Sequence, residues 1–316
     1  MWTSTKFTTQ NIALPACGSG PVTPSCIAPA FAPGGVAAQS SGNDNFLNRN
    51  YAVELPNNYQ PGTSYPVVFT AGGCNNESVP SFDLGESGVI KVSLQFVNTC
   101  FADGGTKCAL NATNDPLCVN TPEVPYFSTV IDEIEAKLCV DLGRVFIGGA
   151  SSGAWEAFTL GCVFADRIRG VSTQGGGLRN HLPVCTGPLP ALMVVSGADA
   201  ANPIGPLVQD MAYPPAGLTA PQVDTLIQDL DSNGSAPERD ALLQRNGCAG
   251  TATVPYDPKY PECVKYTGCP AAYPVVWCAL PDEAHGANDY NGVNYVPGGV
   301  SGDPLMWSFL ENLPSP

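Results

Sequence analysis

Apolar residues cluster along the chain in short blocks separated by helical patterns. Pro66 to Thr70 (PVVFT), Val89 to Phe96 (VIKVSLQF), Val145 to Ile147, Ala191 to Val195 (ALMVV) and Pro274 to Leu280 (PVVWCAL) are continuous or nearly continuous apolar runs. Such short β-branched runs suit strands buried on both faces, as in a parallel sheet. Tyr51 to Leu55 alternates instead, like a half-buried strand, and Pro56-Asn57-Asn58-Tyr59 behind it signals a turn. Between these blocks, Phe127, Val130, Ile131, Ile134 and Leu138 share one face of a helix, and Ala154 to Phe164 reads as another. Strand–helix alternation of this kind predicts an α/β domain with a mostly parallel central sheet flanked by helices.

Two stretches depart from that rhythm. Residues 1–45 are rich in Gly, Pro, Ala and Ser and read as an irregular N-terminal arm, leaving 46–316 as the folded domain. From about 200 to 262 the chain carries two capping boxes. Thr219-Ala220-Pro221-Gln222 precedes Val223, Leu226, Ile227 and Leu230; Ser235-Ala236-Pro237-Glu238 precedes Leu242 and Leu243, with Gly247 as the stop. This segment reads as a helical insertion at the C-terminal edge of the sheet, rising beside a cleft.

Composition narrows the function classes. Only 13% of residues are charged and the net charge is -15, with no cluster of Lys or Arg, so a phosphate backbone would be repelled and nucleic acid is not an expected partner. No apolar run reaches the length of a membrane span. The 13 cysteines include no C-x-x-C pair, and the chain has only 2 histidines, His181 and His285. Zinc sites need tighter Cys/His spacing, so the cysteines read as disulfides of a secreted protein. Their odd number leaves at least one outside an intrachain pair.

Gly149-Ala150-Ser151-Ser152-Gly153 is a G-x-S-x-G match that follows an apolar run and opens a helix, the strand–turn–helix setting the motif requires. Ser151 is then the candidate nucleophile. A serine hydroxyl needs a base, and histidine is the natural one near neutral pH. His285 lies shortly after the last apolar run, in the chain order Ser, acid, His expected of this architecture; His181 lies too early. Asp199, just past the Ala191–Val195 run, is the candidate acid, with Asp282 and Glu283 as rivals. The oxyanion hole is expected from the backbone N–H groups of Ser152 and of Cys74, in the Gly72-Gly73-Cys74 loop after the Pro66–Thr70 run.

These motifs, together with Tyr51 to Phe69, Arg245-Asn246-Gly247-Cys248 and Cys263 to Cys278, resemble a secreted esterase family. That family includes polyhydroxybutyrate depolymerases, feruloyl esterases and acetylxylan esterases. The resemblance runs from about residue 48 to the end of the chain; where members often have His-Gly-Cys, this chain has Gly72-Gly73-Cys74. It implies the α/β-hydrolase fold and a two-step acyl-enzyme mechanism with no metal or cofactor. The implied partner is an ester substrate: a plant cell-wall ester, feruloyl or acetyl, or a polyester, either polyhydroxybutyrate or an aromatic polyester such as polyethylene terephthalate. It also implies a Cys162–Cys185 disulfide and pairing of Cys248, Cys263, Cys269 and Cys278 among themselves. Trp155, Trp277 and Tyr290 are candidates to stack on an aromatic acyl group, or to be core residues. Two other functions share these features: a serine peptidase on the same scaffold, and a binding module that keeps only the fold. The oligomeric state is not legible.

Overall fold

In the computed structural model, residues 36–39, 51–57, 59–60, 62–73, 88–95, 123–176, 185–196, 235–280, 289–290, 293–294 and 304–314 are described. Ten strands form one sheet in the order β1-β2-β4-β3-β5-β6-β7-β10-β9-β8. They are β1 (Val36–Gln39), β2 (Tyr51–Glu54), β3 (Tyr65–Ala71), β4 (Ile90–Leu94), β5 (Val140–Ala150), β6 (Gly170–Gln174), β7 (Ala191–Ser196), β8 (Thr253–Asp257), β9 (Tyr260–Tyr266) and β10 (Val275–Leu280). The run β4-β3-β5-β6-β7-β10 is parallel throughout, and antiparallel strands flank it on both sides. A separate antiparallel pair joins β11 (Asp289–Tyr290) to β12 (Val293–Asn294).

Period-2 alternation assigns each strand's side chains to two cores. Val67, Phe69 and Ala71 of β3, Met193 of β7 and Val275 and Trp277 of β10 face one core. That core is closed by α1 (Glu123–Lys137), α2 (Ser152–Val163) and α3 (Ser235–Arg245). Val68, Phe146, Leu192, Val194 and Val276 face the other, closed by α4 (Pro304–Glu311) through Leu305, Met306, Phe309 and Leu310. The α1 stripe expected from its periodicity is buried as expected, and Phe127 meets Phe69 edge to face at 4.9 Å between centroids.

The strand runs seen in the sequence are β2, β3, β4, β5, β7 and β10. The central strand β6 was not marked, because Gly170-Val171-Ser172-Thr173-Gln174 has one large apolar side chain. Within the arm expected to be irregular, Val36–Gln39 instead pairs with β2 and supplies the sheet's edge strand. The expected helix at Val223–Leu230 lies outside the described residues.

The second capped helix is present as α3, between β7 and β10, but it packs on the sheet face rather than beside a cleft. Its Ala236, Ala241, Leu242 and Leu243 are buried in the core. It is the crossover helix that returns the chain between two parallel strands, which must lie on the sheet. Its direction is fixed at its end. The Asn246 side chain accepts from Leu189 N at 2.8 Å and donates to Leu189 O at 2.8 Å and Tyr273 O at 3.2 Å. Those residues precede β7 and β10, so α3 runs antiparallel to both. Gly247, at φ 68°, then ends the helix, with Cys248 N bonding back to Leu243 O at 2.9 Å. Among the described residues, the expected insertion continues into the β8–β9 hairpin, which widens the sheet beyond β10.

Disulfides pin these pieces. Cys162 of α2 bridges Cys185, Cys248 bridges Cys269 between the end of α3 and the turn before β10, and Cys263 of β9 bridges Cys278 of β10. All three pairings agree with what the resemblance implied. Cys139 is also disulfide-bonded. Thiol titration of the denatured, unreduced protein should find few free thiols, with one the expected number; ten or more would refute the disulfide reading.

The α3 face carries a buried acid. Glu238 is 1% exposed, and its Oε1 has no hydrogen-bond partner among the described residues. Burial pushes its carboxyl up to about 8 from 4.5. The folded state therefore holds a proton that the unfolded chain releases from about pH 4.5 upward, so stability falls as pH rises from about 4.5 to 8. Integrated over that window the loss is up to roughly 5 kcal/mol. Buried Asp240, also raised by burial, acts in the same direction. Glu238→Gln should melt near wild type at pH 5 and clearly above it at pH 8. Melting curves that differ equally at both values would mean that Glu238 is not the titrating group.

Candidate active site

β5 ends at Ala150, in register with Gln174, the last residue of β6; Ala71 at the end of β3 pairs with Gly149. Three strands thus release the chain along one sheet edge. Ser151 sits in the turn between β5 and α2 with φ 55° and ψ -122°, the one non-glycine residue at positive φ among the described residues. An L-residue there is strained by on the order of 1–3 kcal/mol. Backbone bonds hold it in place: Ser151 N donates to Gln174 O at 2.9 Å, and Ser151 O accepts from Ala154 N at 2.9 Å and Trp155 N at 3.3 Å. Ser151 stands at the N-cap of α2, yet its hydroxyl does not cap the helix. Its side chain lies instead beside Gly73 of the loop after β3.

Glycines let the backbones close around this turn. A Cβ on Gly149 would overlap the carbonyl of Gly153, and a Cβ on Gly153 would overlap the carbonyl of Ala71. α2 therefore starts directly against the end of β3. A Cβ on Gly73 would lie 3.4 Å from Ser151 Cβ and 3.8 Å from its Oγ. The loop after β3 thus passes beside the serine hydroxyl. Ser152 is fully buried beneath it, its Oγ donating to Gly72 O at 3.4 Å. Gly176, past β6, abuts Ala154 of α2, where a Cβ would overlap. The structural use of Gly176 was missed in the sequence; consecutive glycines after a strand were its available signal.

Of the other expected site residues, most lie outside the described residues, and the strands that precede Asp199 and His285 are what is seen. β7 ends at Ser196 and β10 at Leu280, paired in parallel register, at the edge where β5 releases Ser151. Asp199 follows the first and His285 the second in the chain. Asp199, His285, His181 and Cys74 themselves, with the rivals Asp282 and Glu283, lie outside the described residues. Trp155 is one helical turn beyond Ser151 and 8% exposed. Trp277 is 7% exposed, in mid-strand on the α3 side, with the Arg239 guanidinium 4.7 Å over its ring. Tyr290 belongs to β11, and its side chain is outside the described residues.

No family model matches the chain. Feruloyl esterase D of Neurospora crassa is 25% identical over 284 residues, covering 85% of this chain and 83% of its own length. A probable feruloyl esterase C of Aspergillus clavatus is 27% identical over 229 residues, covering 70% and 71%. Among solved structures, the acetyl xylan esterase from Aspergillus awamori superposes with a TM-score of 0.50 and 12% identity, over 80% of this chain and 94% of that one. At that identity the superposition speaks to the fold, while the feruloyl esterases extend the likeness to sequence. With its parallel sheet and serine elbow, the chain has the α/β-hydrolase fold and is similar in sequence to fungal feruloyl esterases.

Proposed function

We propose that the protein is a secreted serine carboxylic ester hydrolase of plant cell-wall esters, with feruloyl-type esters as its first substrate class. The observation that carries this reading is the strained Ser151 beside Gly73, a strand–turn–helix elbow that supports a nucleophile rather than an ordinary helix cap. Kinship with feruloyl esterases supports the ester class. The disulfides fit an oxidising compartment.

In this mechanism Ser151 Oγ attacks the ester carbonyl while His285 takes its proton. Asp199 orients the imidazole and stabilises the imidazolium. The oxyanion is received by the N–H groups of Ser152 and Cys74, and His285 returns the proton to the leaving alcohol. Water, deprotonated by the same histidine, then releases the acid. Trp155, next to the elbow, is the first of the three aromatics to test as an acyl-ring contact; Trp277 and Tyr290 follow.

Two measurements test the reading. A fluorophosphonate probe should label Ser151, and a panel of feruloyl, acetyl, hydroxybutyrate and terephthaloyl esters should show its largest kcat/KM on a feruloyl ester. Turnover of a peptide amide in preference to every ester would replace this reading with a peptidase. His285→Ala should lower ester turnover by orders of magnitude and His181→Ala should leave it unchanged; the reverse pattern would reassign the base.

A further inference from the structure

At the sheet edge opposite Ser151, a cavity of about 150 Å³ opens beside the starts of β5, β6 and β7. Arg169, Tyr273, Pro188 and Pro190 are among the residues that line it. Arg169 is 8% exposed, and its Nη2 donates to Ala272 O at 3.0 Å and to Pro314 O. Both acceptors are neutral carbonyls. A guanidinium has five N–H donors and keeps its charge, and among the described residues only Nη2 is used. Among the described residues no carboxylate pairs with Arg169. In a chain with 28 acidic and 13 basic residues this is unusual. Elsewhere among the described residues, Arg144, Arg167 and Arg239 each hold a carboxylate, Arg167 two of them, Asp132 and Glu135 at 2.7 Å.

A buried cation normally has an anionic partner, because removal from water is costly. Here the charge faces a cavity instead. Burial lowers the Arg169 pKa, and Tyr273 is its one electrostatic neighbour among the described residues. The other walls include the phenol ring of Tyr273 and two proline rings, which offer flat apolar surface, beside Leu142, Ala165 and Ile168; Arg167, already held by two carboxylates, also lines it. The volume is below the roughly 300 Å³ of the smallest drug-sized pockets, so it suits a single ring. Exposed Asp166 at the rim disfavours a second negative charge.

We propose that this cavity is a second ligand site, for a small cyclic monocarboxylate whose carboxylate pairs with Arg169 and whose ring lies against Tyr273, Pro188 and Pro190. Gly143 at its edge lies in the irregular opening of β5, and from Val145 onward the strand runs six residues to Ser151, roughly 20 Å at the rise of an extended chain. One small ligand cannot touch both sites.

Sodium benzoate is the probe, with acetate and benzyl alcohol as the carboxylate-only and ring-only controls. On the full chain, benzoate should shift the Arg169 Nε–Hε resonance saturably and raise the melting temperature. Each control should bind at least tenfold more weakly. Arg169→Lys should weaken benzoate by tenfold or more. Because Arg169 also ties two carbonyls, that variant can lose stability, so Ala165→Leu is the second test. Ala165 lines the cavity, and a larger side chain fills it without touching the Arg169 bonds. Ala165→Leu should abolish the shift and keep wild-type ester turnover, which separates this site from the esterase reading. An unmoved Arg169 resonance, acetate binding equal to benzoate, or undiminished binding to Ala165→Leu would each overturn the proposal.

Discussion

Ser151→Ala is expected to reduce ester turnover by a factor on the order of 10⁴–10⁶ while the protein melts within a degree or two of wild type. The loss is large because no other group replaces the covalent step; what remains is the water reaction helped by the oxyanion donors. The stability is unchanged because alanine keeps the same strained backbone at φ 55°. Ser151→Gly separates the two effects. Glycine populates this region without a Cβ penalty, so relief of strain, on the order of 1–3 kcal/mol, outweighs the entropy cost of glycine of about 0.5–1 kcal/mol. Ser151→Gly should therefore be as inactive as Ser151→Ala and melt above it. An active Ser151→Ala would place the nucleophile elsewhere. An inactive Ser151→Gly that melts no higher than Ser151→Ala would mean the elbow stores no strain.

Most of the parallel sheet was legible because its strands are buried on both faces and read as apolar blocks. Val67, Val68 and Phe69, or Leu192, Met193 and Val194, are all buried, so neither face leaves a polar residue to blur the pattern. β6 was not legible for the converse reason. Ser172 and Thr173 are buried without being apolar, and Gly170 is glycine because Leu310 and Leu313 of the C-terminal segment press on it. Edge strands fail differently. β8 is exposed on most of its length, and its hydrogen bonds to β9 leave no periodicity in Thr253-Val254-Pro255-Tyr256-Asp257. α3 was legible as a helix from its cap and its Leu242-Leu243 pair. Its placement was not, since the same apolar stripe serves a crossover helix and a wall beside a cleft. The elbow was visible as G-x-S-x-G, and its reasons are in the backbone: Gly149 and Gly153 are needed by contacts with residues up to 82 positions away. For Asp199 and His285, chain order after β7 and β10 is what supports the assignment.

Gly153→Ala should damage the oxyanion hole without touching any reacting atom. The new Cβ would overlap the Ala71 carbonyl and come within 2.6 Å of Gly72 O. Both are backbone atoms at the end of a central strand, and neither can rotate away as a side chain would. The helix must retreat from β3, carrying the Ser152 N–H away from the Gly72–Gly73 loop. A displacement of about 1 Å in such a site costs on the order of 10²-fold in rate, and the loss of one oxyanion donor costs 10²–10³. The overpacking itself costs about 1–3 kcal/mol, or roughly 2–12 °C in melting temperature for a domain of this size. Gly161→Ala, in the same helix, is the control. Its Cβ would meet Leu189 Cδ2 at 3.1 Å and Ile147 Cγ2 at 3.5 Å, both side-chain carbons, so Leu189 yields by a few tenths of an ångström. Alanine also favours the helix there by about 1 kcal/mol. Gly161→Ala should keep wild-type kcat and a near-wild-type melt, and Gly153→Ala should lose at least a hundredfold in kcat while binding ester with a similar KM. Wild-type kcat in folded Gly153→Ala would show that the close approach of α2 to β3 serves packing alone, and that the oxyanion is held by groups other than those at the start of this helix.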